Sequence, residues 1–86
     1  MPSDVWCLYV LQCADGSYYT GVSTDVDRRL DEHNHSKRGA KYTRSRRPVR
    51  LVYLLEFGSR ALAQKAEYRF KKLTRKEKER LISEGQ

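Results

Sequence analysis

Val5-Trp6-Cys7-Leu8-Tyr9-Val10-Leu11 is apolar or aromatic at every position. A strand that alternates apolar and polar residues covers one face of a sheet; an unbroken apolar run of this length predicts a strand buried on both faces, hence a central one. Ala14-Asp15-Gly16 supplies turn chemistry, and Ser17 to Val22, rich in tyrosine and β-branched residues, reads as a second, antiparallel strand. Two loops are open to this hairpin. A two-residue Asp15-Gly16 turn would set position 9 against 22 and send Tyr9 and Tyr19 to opposite faces. A three-residue loop with Gly16 in the left-handed conformation sets Tyr9 against Gly21 and Leu11 against Tyr19, so both tyrosines share a face. The second is expected, because the chemistry that two tyrosines can share needs both on one face.

Outward from the hairpin, Thr24 reads as an N-cap with Asp27 three residues on, opening a helix that runs to about Ser36. Pro48 opens a third strand, Val49 to Glu56. Ser59 caps a second helix whose buried stripe is Leu62, Ala66, Phe70 and Leu73. Thr74 with Glu77 repeats the capping signature, giving a short third helix to about Ser83. The order is β-β-α-β-α-α, an α+β arrangement. At 86 residues the chain fits one domain, with a core from about residue 5 to 82, because so small a core buries only about 60–65% of the unfolded surface.

Hydrophobic residues make up 38% of the chain and are spread along it, which suits a globular fold better than a disordered basic tail. No apolar run approaches the roughly 20 residues of a membrane span, and Met1-Pro2-Ser3-Asp4 has no basic region or small-residue cleavage site. The expected compartment is the cytoplasm. Cys7 and Cys13 fall on one strand, about 20 Å apart at 3.3 Å per residue, so they cannot bridge and are expected as reduced, packed thiols. Without a further Cys/His cluster a structural zinc site is not expected.

The charge is concentrated. Residues 36–50 hold Lys37, Arg38, Lys41, Arg44, Arg46, Arg47 and Arg50 without a single acid; the other 11 basic residues balance the 11 acids, so the net charge of +7 resides in this stretch. Such a patch suits a polyanion, phosphate above all, although a solvated loop that keeps a small protein soluble has the same composition. Within it, Gly39-Ala40-Lys41-Tyr42-Thr43-Arg44 interleaves small, basic and aromatic residues, suited to following a sugar-phosphate backbone with Tyr42 free to stack on a base. Lys37, Arg38, Lys41, Tyr42, Arg44, Arg46 and Arg47 are the candidate nucleic-acid contacts.

In the first helix Val26, Arg29, Leu30 and His33 stand at i, i+3, i+4 and i+7 and project from one side, whereas Arg28, Asp31 and Glu32 point elsewhere. An arginine and a histidine on the apolar stripe break the local pattern, as working sites do; equally, Arg29 could snorkel past the core edge and His33 could favour the helix's negative pole. Glu67 lies on the flank of the second helix's stripe, between Ala63 and Phe70, where a shielded carboxylate can hold a divalent cation or form an ion pair with Lys71 at i+4. His33-Asn34-His35 spells a nuclease name by accident, since that family's letters come from dispersed positions.

These residues together resemble a known family. Tyr9 in Cys7-Leu8-Tyr9, Tyr19-Thr20-Gly21 on the next strand, Asp25-Val26-Asp27-Arg28-Arg29-Leu30 followed by His33, and Glu67 on a later helix look like the elements of the GIY-YIG nucleases, in order. The likeness runs from about Val5 to Ile82 and is closest to the small stand-alone bacterial members, the YhbQ-like group. The motif centres read Cys-Leu and Thr where the family's name spells Gly-Ile and Ile. No asparagine follows Asn34, where many relatives carry one late. The resemblance implies a three-stranded antiparallel sheet flanked by helices, with Tyr9, Tyr19, Arg29, His33 and Glu67 on one surface. It also implies a one-metal phosphodiesterase: one Mg2+ or Mn2+ ion on Glu67, Arg29 on the phosphate, a tyrosine near the attacking water, and His33 orienting water or phosphate. The partner implied is DNA, with RNA equally compatible with the charge. A free phenol, with a pKa of about 10, is a poor base near neutrality, so Tyr19, the preferred base, or Tyr9 would need activation by a neighbour.

Overall fold

The structure is a computed structural model that describes residues 5–85; the N-terminal reading at Met1 to Asp4 lies outside them. Three strands, β1 (Trp6–Gln12), β2 (Tyr18–Ser23) and β3 (Arg50–Phe57), form one antiparallel sheet in the order β2-β1-β3. The all-apolar run is therefore the central strand, as its composition demands. Leu8, Tyr9, Val10 and Leu11 are each 2% exposed or less, and successive side chains enter different cores. Leu8 and Val10 pack with Val52, Tyr53 and Phe70 on one face; Tyr9 and Leu11 pack with Cys13 and Val49 on the other. Full burial of each aliphatic side chain contributes roughly 1.5–3 kcal/mol.

The hairpin takes the three-residue loop. Gly16 has φ +85°, the Cys13 N–H donates to the Ser17 carbonyl at 2.8 Å, and the Gly16 N–H donates to the Cys13 carbonyl at 2.9 Å. Asp15 fastens it, its Oδ1 accepting from the Ser17 N–H at 3.0 Å and the Ser17 hydroxyl at 2.6 Å. The register follows: Tyr9 opposite Gly21, Leu11 opposite Tyr19.

Four helices accompany the sheet: α1 (Val26–His35), α2 (Lys41–Arg44), α3 (Arg60–Lys71) and α4 (Arg75–Gly85). α2, one turn inside the basic stretch, adds an element to the expected order. α1 begins one residue later than Thr24 implies. Its N-cap is Asp25, whose carboxylate accepts from the Arg28 N–H at 3.1 Å while its own N–H donates to Ser23 Oγ at 2.9 Å; a carboxylate there also complements the helix dipole. Ser59 caps α3 as expected, and Thr74 and Glu77 form a reciprocal capping box at 3.2 and 2.8 Å. The two cysteines are free, Cys7 half-buried and Cys13 buried.

The stripe of α3 needs correction. Leu62 is 53% exposed, and Ala63 and Phe70 are the buried pair. Ala63, with no side chain beyond Cβ, lets the helix lie close on β1 and β2, and that approach turns Leu62 toward the open groove beside Leu55. Glu67 then shares the inward-facing side with Ala63 and Phe70 instead of its flank.

Arg47 is also corrected. It does not project from the basic segment; its guanidinium turns onto the carboxyl end of α1, with Nε donating to the His33 carbonyl at 2.6 Å and Nη2 to those of Ser36 at 2.6 Å and Glu32 at 3.3 Å. A cation at a helix's carboxyl end complements the dipole and gives the His33 carbonyl a donor, while those of Glu32 and Ser36 also accept from the Ser36 and Gly39 N–H groups. Asn34 does similar work on the next strand, donating to the Val49 carbonyl at 2.9 Å and accepting from its N–H at 2.7 Å. Arg47→Met is expected to lower stability by about 2–3 kcal/mol, and Arg44→Met, at an exposed position of the same segment, by no more than about 0.5 kcal/mol. Urea unfolding of the two variants beside the parent checks this; equal midpoints would contradict it.

Candidate functional site

The site is built on the face of the sheet that carries Tyr9. Tyr9 points from the central strand, Tyr19 from β2, Arg29 and His33 from α1, and Glu67 stands on α3 between the buried Ala63 and Phe70, on the side that packs on the sheet. Their meeting point is the Tyr9 phenol. Its oxygen lies 2.9 Å from His33 Nε2; the rings of Tyr19 and His33 stand 4.9 Å apart and those of Tyr9 and Tyr19 6.5 Å. Arg29 interacts with the same hydroxyl, and the charge of Glu67 is near enough to act on its ionisation.

Gly21 makes room for this. A Cβ there would stand 2.6 Å from Tyr9 Oη and 2.7 Å from Cζ, so the phenol can cross β2 only over a residue without a side chain. Gly39 has the same role at the other end: its Cβ would fall 2.5 Å from the Glu32 carbonyl oxygen. Its absence lets residues 39–43 fold onto the end of α1 and present two groups to the imidazole. The Ala40 N–H donates to His33 Nδ1 at 3.1 Å, and Thr43 Oγ1 lies 3.1 Å from the same nitrogen while donating to the Ala40 carbonyl at 2.9 Å. A backbone N–H can only donate, so Nδ1 is the bare nitrogen. The ring proton therefore sits on Nε2 and is donated to the Tyr9 oxygen.

This arrangement corrects the expectation that His33 orients water or phosphate. Its residue exposure is 0%, and both nitrogens are engaged inside the protein. Burial, with the positive charges of Arg29 and Arg47 adding to it against the opposing pull of Glu32, lowers its pKa to about 4, so it is neutral. Tyr9, 1% exposed, is raised to about 12 by burial and by Tyr19 and Glu67, against the lowering influence of Arg29. The five residues thus form an inner pair, Tyr9 and His33, and an outer set that solvent reaches, Tyr19, Arg29 and Glu67.

Arg29 is held in place by Glu32, which sequence spacing had sent elsewhere. Nη1 donates to Glu32 Oε1 at 2.6 Å and to the Arg38 carbonyl at 3.1 Å. The Glu32 side chain is only 14% exposed; it sits beside the stripe and reaches back one turn. Burial opposes the charge of Arg29, but Glu32 and Tyr9 more than offset it and hold the guanidinium pKa above its usual value.

For the metal that the resemblance implies, the donor chemistry is the available test. Among the described residues no three His, Cys, Asp or Glu side chains group as a metal cage. Of the two carboxylates described at the site, Glu32 is committed to Arg29, which leaves Glu67, with a side chain 22% exposed and an oxygen 3.3 Å from Lys71 Nζ. A lone, shielded carboxylate fits a hard cation that keeps several waters, such as magnesium, and does not fit zinc.

The basic residues divide likewise. Lys37, Arg38, Lys41 and Arg44 are exposed. Arg46 pairs with Asp15 Oδ2 at 3.0 Å, donates to the Tyr42 carbonyl at 2.9 Å and lies 3.9 Å over the Tyr42 ring. Tyr42 is therefore not free to stack on a base: Arg46 covers its ring, which also stacks on Tyr19 at 6.2 Å and 27°. Sequence reasoning missed Ala40 and Thr43 as the cradle of His33; a glycine and a threonine four residues apart beside a helical histidine were the available signal.

Two outcomes follow. Gly21→Ala should displace the Tyr9 ring and cost about 1–3 kcal/mol, read as a drop in the urea midpoint; an unchanged midpoint would mean the ring has slack. Because the His33 pKa is depressed from about 6.5 to about 4, its neutral form stabilises the fold fully above pH 6.5, and that stability is lost as pH falls through 6.5 to 4, about 3 kcal/mol in total. Melting temperature against pH should show this slope and lose it in His33→Gln.

The chain matches the model of the GIY-YIG catalytic domain over residues 5–80. It is 51% identical over 77 residues to a UPF0213 protein of Desulfotalea psychrophila, covering 90% of this chain and 70% of that one. With the UPF0213 protein YhbQ of Escherichia coli it shares 48% identity over 80 residues, 93% of this chain and 79% of that one. Two solution NMR structures are similar. UPF0213 protein BH0048 from Bacillus halodurans superposes with a TM-score of 0.59 at 51% identity, over 92% of this chain and 83% of that one. The protein EF2693 from E. faecalis gives 0.66 at 49% identity, over 96% and 88%. Together with a sheet that carries Tyr9 across Gly21 beside Tyr19, these likenesses place the chain in the GIY-YIG catalytic-domain family, among the UPF0213 proteins.

Proposed function

We propose that this chain is a metal-dependent nuclease that hydrolyses DNA phosphodiester bonds, selecting a structure or damaged form over a sequence. The observation that carries this reading is the convergence of two phenols, a guanidinium, an imidazole and a carboxylate, remote in sequence, on one face around Tyr9 Oη. Phosphodiester hydrolysis moves negative charge onto the non-bridging and leaving oxygens, so a guanidinium held in advance lowers the barrier. Arg29, fixed by Glu32 through Nη1, keeps other N–H groups of its fork for the phosphate. Glu67 would hold one magnesium or manganese ion, which supplies charge stabilisation at the phosphate when bound. Tyr19 is the reachable phenol and takes the place beside the attacking water; Tyr9 and His33 act as positioning residues behind it. Lys37, Arg38, Lys41 and Arg44 are contacts for the strand's backbone and read no sequence, so the same surface accepts RNA.

The test is cleavage of single-stranded, nicked and branched DNA with magnesium or manganese. Glu67→Ala and Arg29→Ala are each expected to lower cleavage by about 10²–10³ while keeping most binding, because the exposed lysines and arginines remain. Undiminished cutting by Glu67→Ala would end the one-metal scheme. If no substrate is cut and binding persists, the chain is a nucleic-acid-binding module of the same fold, a reading that the Glu67–Lys71 ion pair favours by occupying the carboxylate.

A further inference from the structure

β2 is an edge strand, and at its outer side Tyr18, Tyr19 and Thr20 meet Tyr42 of α2, Lys71 at the end of α3 and Lys78 of α4 around a half-open cavity of about 210 Å3. Lys78 is the unexpected member. With Leu81 and Ile82 it occupies i, i+3 and i+4, one face of α4, and those two pack on the core. Lys78 stands where a third apolar residue would continue the stripe. It is half-buried, with its ammonium 5.8 Å from the centre of the Phe70 ring, and among the described residues no carboxylate forms an ion pair with it. Its neighbour Lys71 is paired with Glu67 at 3.3 Å. An ammonium that no carboxylate among the described residues neutralises, set beside an aromatic ring in the wall of a cavity, can pair with an anion that enters it.

The walls narrow the anion's chemistry. The Tyr42 ring is stacked on Tyr19 and covered by Arg46, and the Tyr18 ring has Arg75 4.8 Å from its centre, so the cavity offers cations and phenols whose rings already have partners. That suits a compact tetrahedral oxyanion better than a base. We propose that this cavity is a phosphate subsite for the nucleotide adjoining the scissile bond, with Lys78 holding that phosphate on the far side of Tyr19 from Arg29. The proposal rests on the nuclease reading for its substrate.

Binding is measured without metal, so that nothing is cut, by the anisotropy of a short labelled single-stranded DNA over a range of salt. Lys78→Gln should weaken binding several-fold and make the log–log salt slope shallower by about 0.7, the loss of one phosphate contact. Lys78→Arg should restore both. Lys76→Gln, an equal charge change two residues away on the outer side of α4, should leave the slope near that of the parent. Matching slopes and affinities for Lys78→Gln and Lys76→Gln would overturn the subsite, whether or not the protein cuts DNA. A parent that binds through Lys78 but cuts nothing removes the nuclease reading and leaves the phosphate site. Should Lys78→Gln fail to fold, NMR of the parent's lysine ammonium groups with inorganic phosphate decides: Lys78 shifting ahead of Lys76 supports the site, and equal shifts refute it.

Discussion

A single interior hydrogen bond, from His33 Nε2–H to the Tyr9 oxygen at 2.9 Å, ties together parts of the chain that are remote in sequence. It joins the central strand to α1, and because the bare Nδ1 on the other side of the imidazole needs a donor, it also recruits the Ala40 N–H and with it residues 39–43. Buried polar groups of this kind are costly when any one partner is missing. The two glycines are corollaries of the same bond: Gly21 clears the path of the phenol and Gly39 lets the basic segment close on the ring. A network satisfied on every side admits few alternative packings, and so it fixes where the outer groups stand.

The electrostatic outcome is a neutral interior beneath a charged rim. With the imidazole pKa near 4 and the phenol pKa near 12, the inner pair keeps one protonation state across the whole range in which a cell operates. Its hydrogen-bond direction is then invariant, since neither a proton gained by His33 nor one lost by Tyr9 reverses it. Any change of activity with pH near neutrality must come from groups outside the pair. The same burial that makes Tyr9 and His33 dependable scaffolding makes them unsuited to touch a substrate, which leaves contact to Tyr19, Arg29 and Glu67.

Much of this was legible in the residues. An apolar run with no alternation left β1 only a central position; the residues of the turn allowed two loops, and only the chemistry expected of the two tyrosines chose the one in which Gly16 is left-handed. The caps at Ser59 and Thr74 are local, made within three or four residues, and local signals survive without a fold around them. What escaped was decided by distant contacts. Leu62 faces solvent because of how closely Ala63 lets α3 approach the sheet, and helical spacing alone does not fix that rotation. Glu32 joins the site because a long side chain reaches a full turn along the helix, so the stripe is wider than the positions that define it. Thr43 and Ala40 read as an approach for a sugar-phosphate backbone; only the return of the chain onto α1 turns them into a cradle for His33.

Charge shows the same limit from another side. Counting placed the net +7 in residues 36–50, and composition treats those seven cations as equivalent. In three dimensions they are not: Arg47 serves helix carbonyls, Arg46 is shared between Asp15 and Tyr42, and Arg50 donates to Gln12 at 2.6 Å. A guanidinium spent on backbone carbonyls cannot also meet phosphate without giving them up, so the segment's capacity for a polyanion is smaller than its formula suggests. The balance shifts toward α3 and α4, where the acids that cancel the basic residues in a sum do not cancel them in place. Lys78 faces the edge of β2 without a carboxylate partner among the described residues, while Glu79, one position on, pairs with Arg75 along the helix. A neutral total over a segment therefore conceals a directed field, and it is the direction of each charge, set by the face of the helix it occupies, that determines where a phosphate chain can lie.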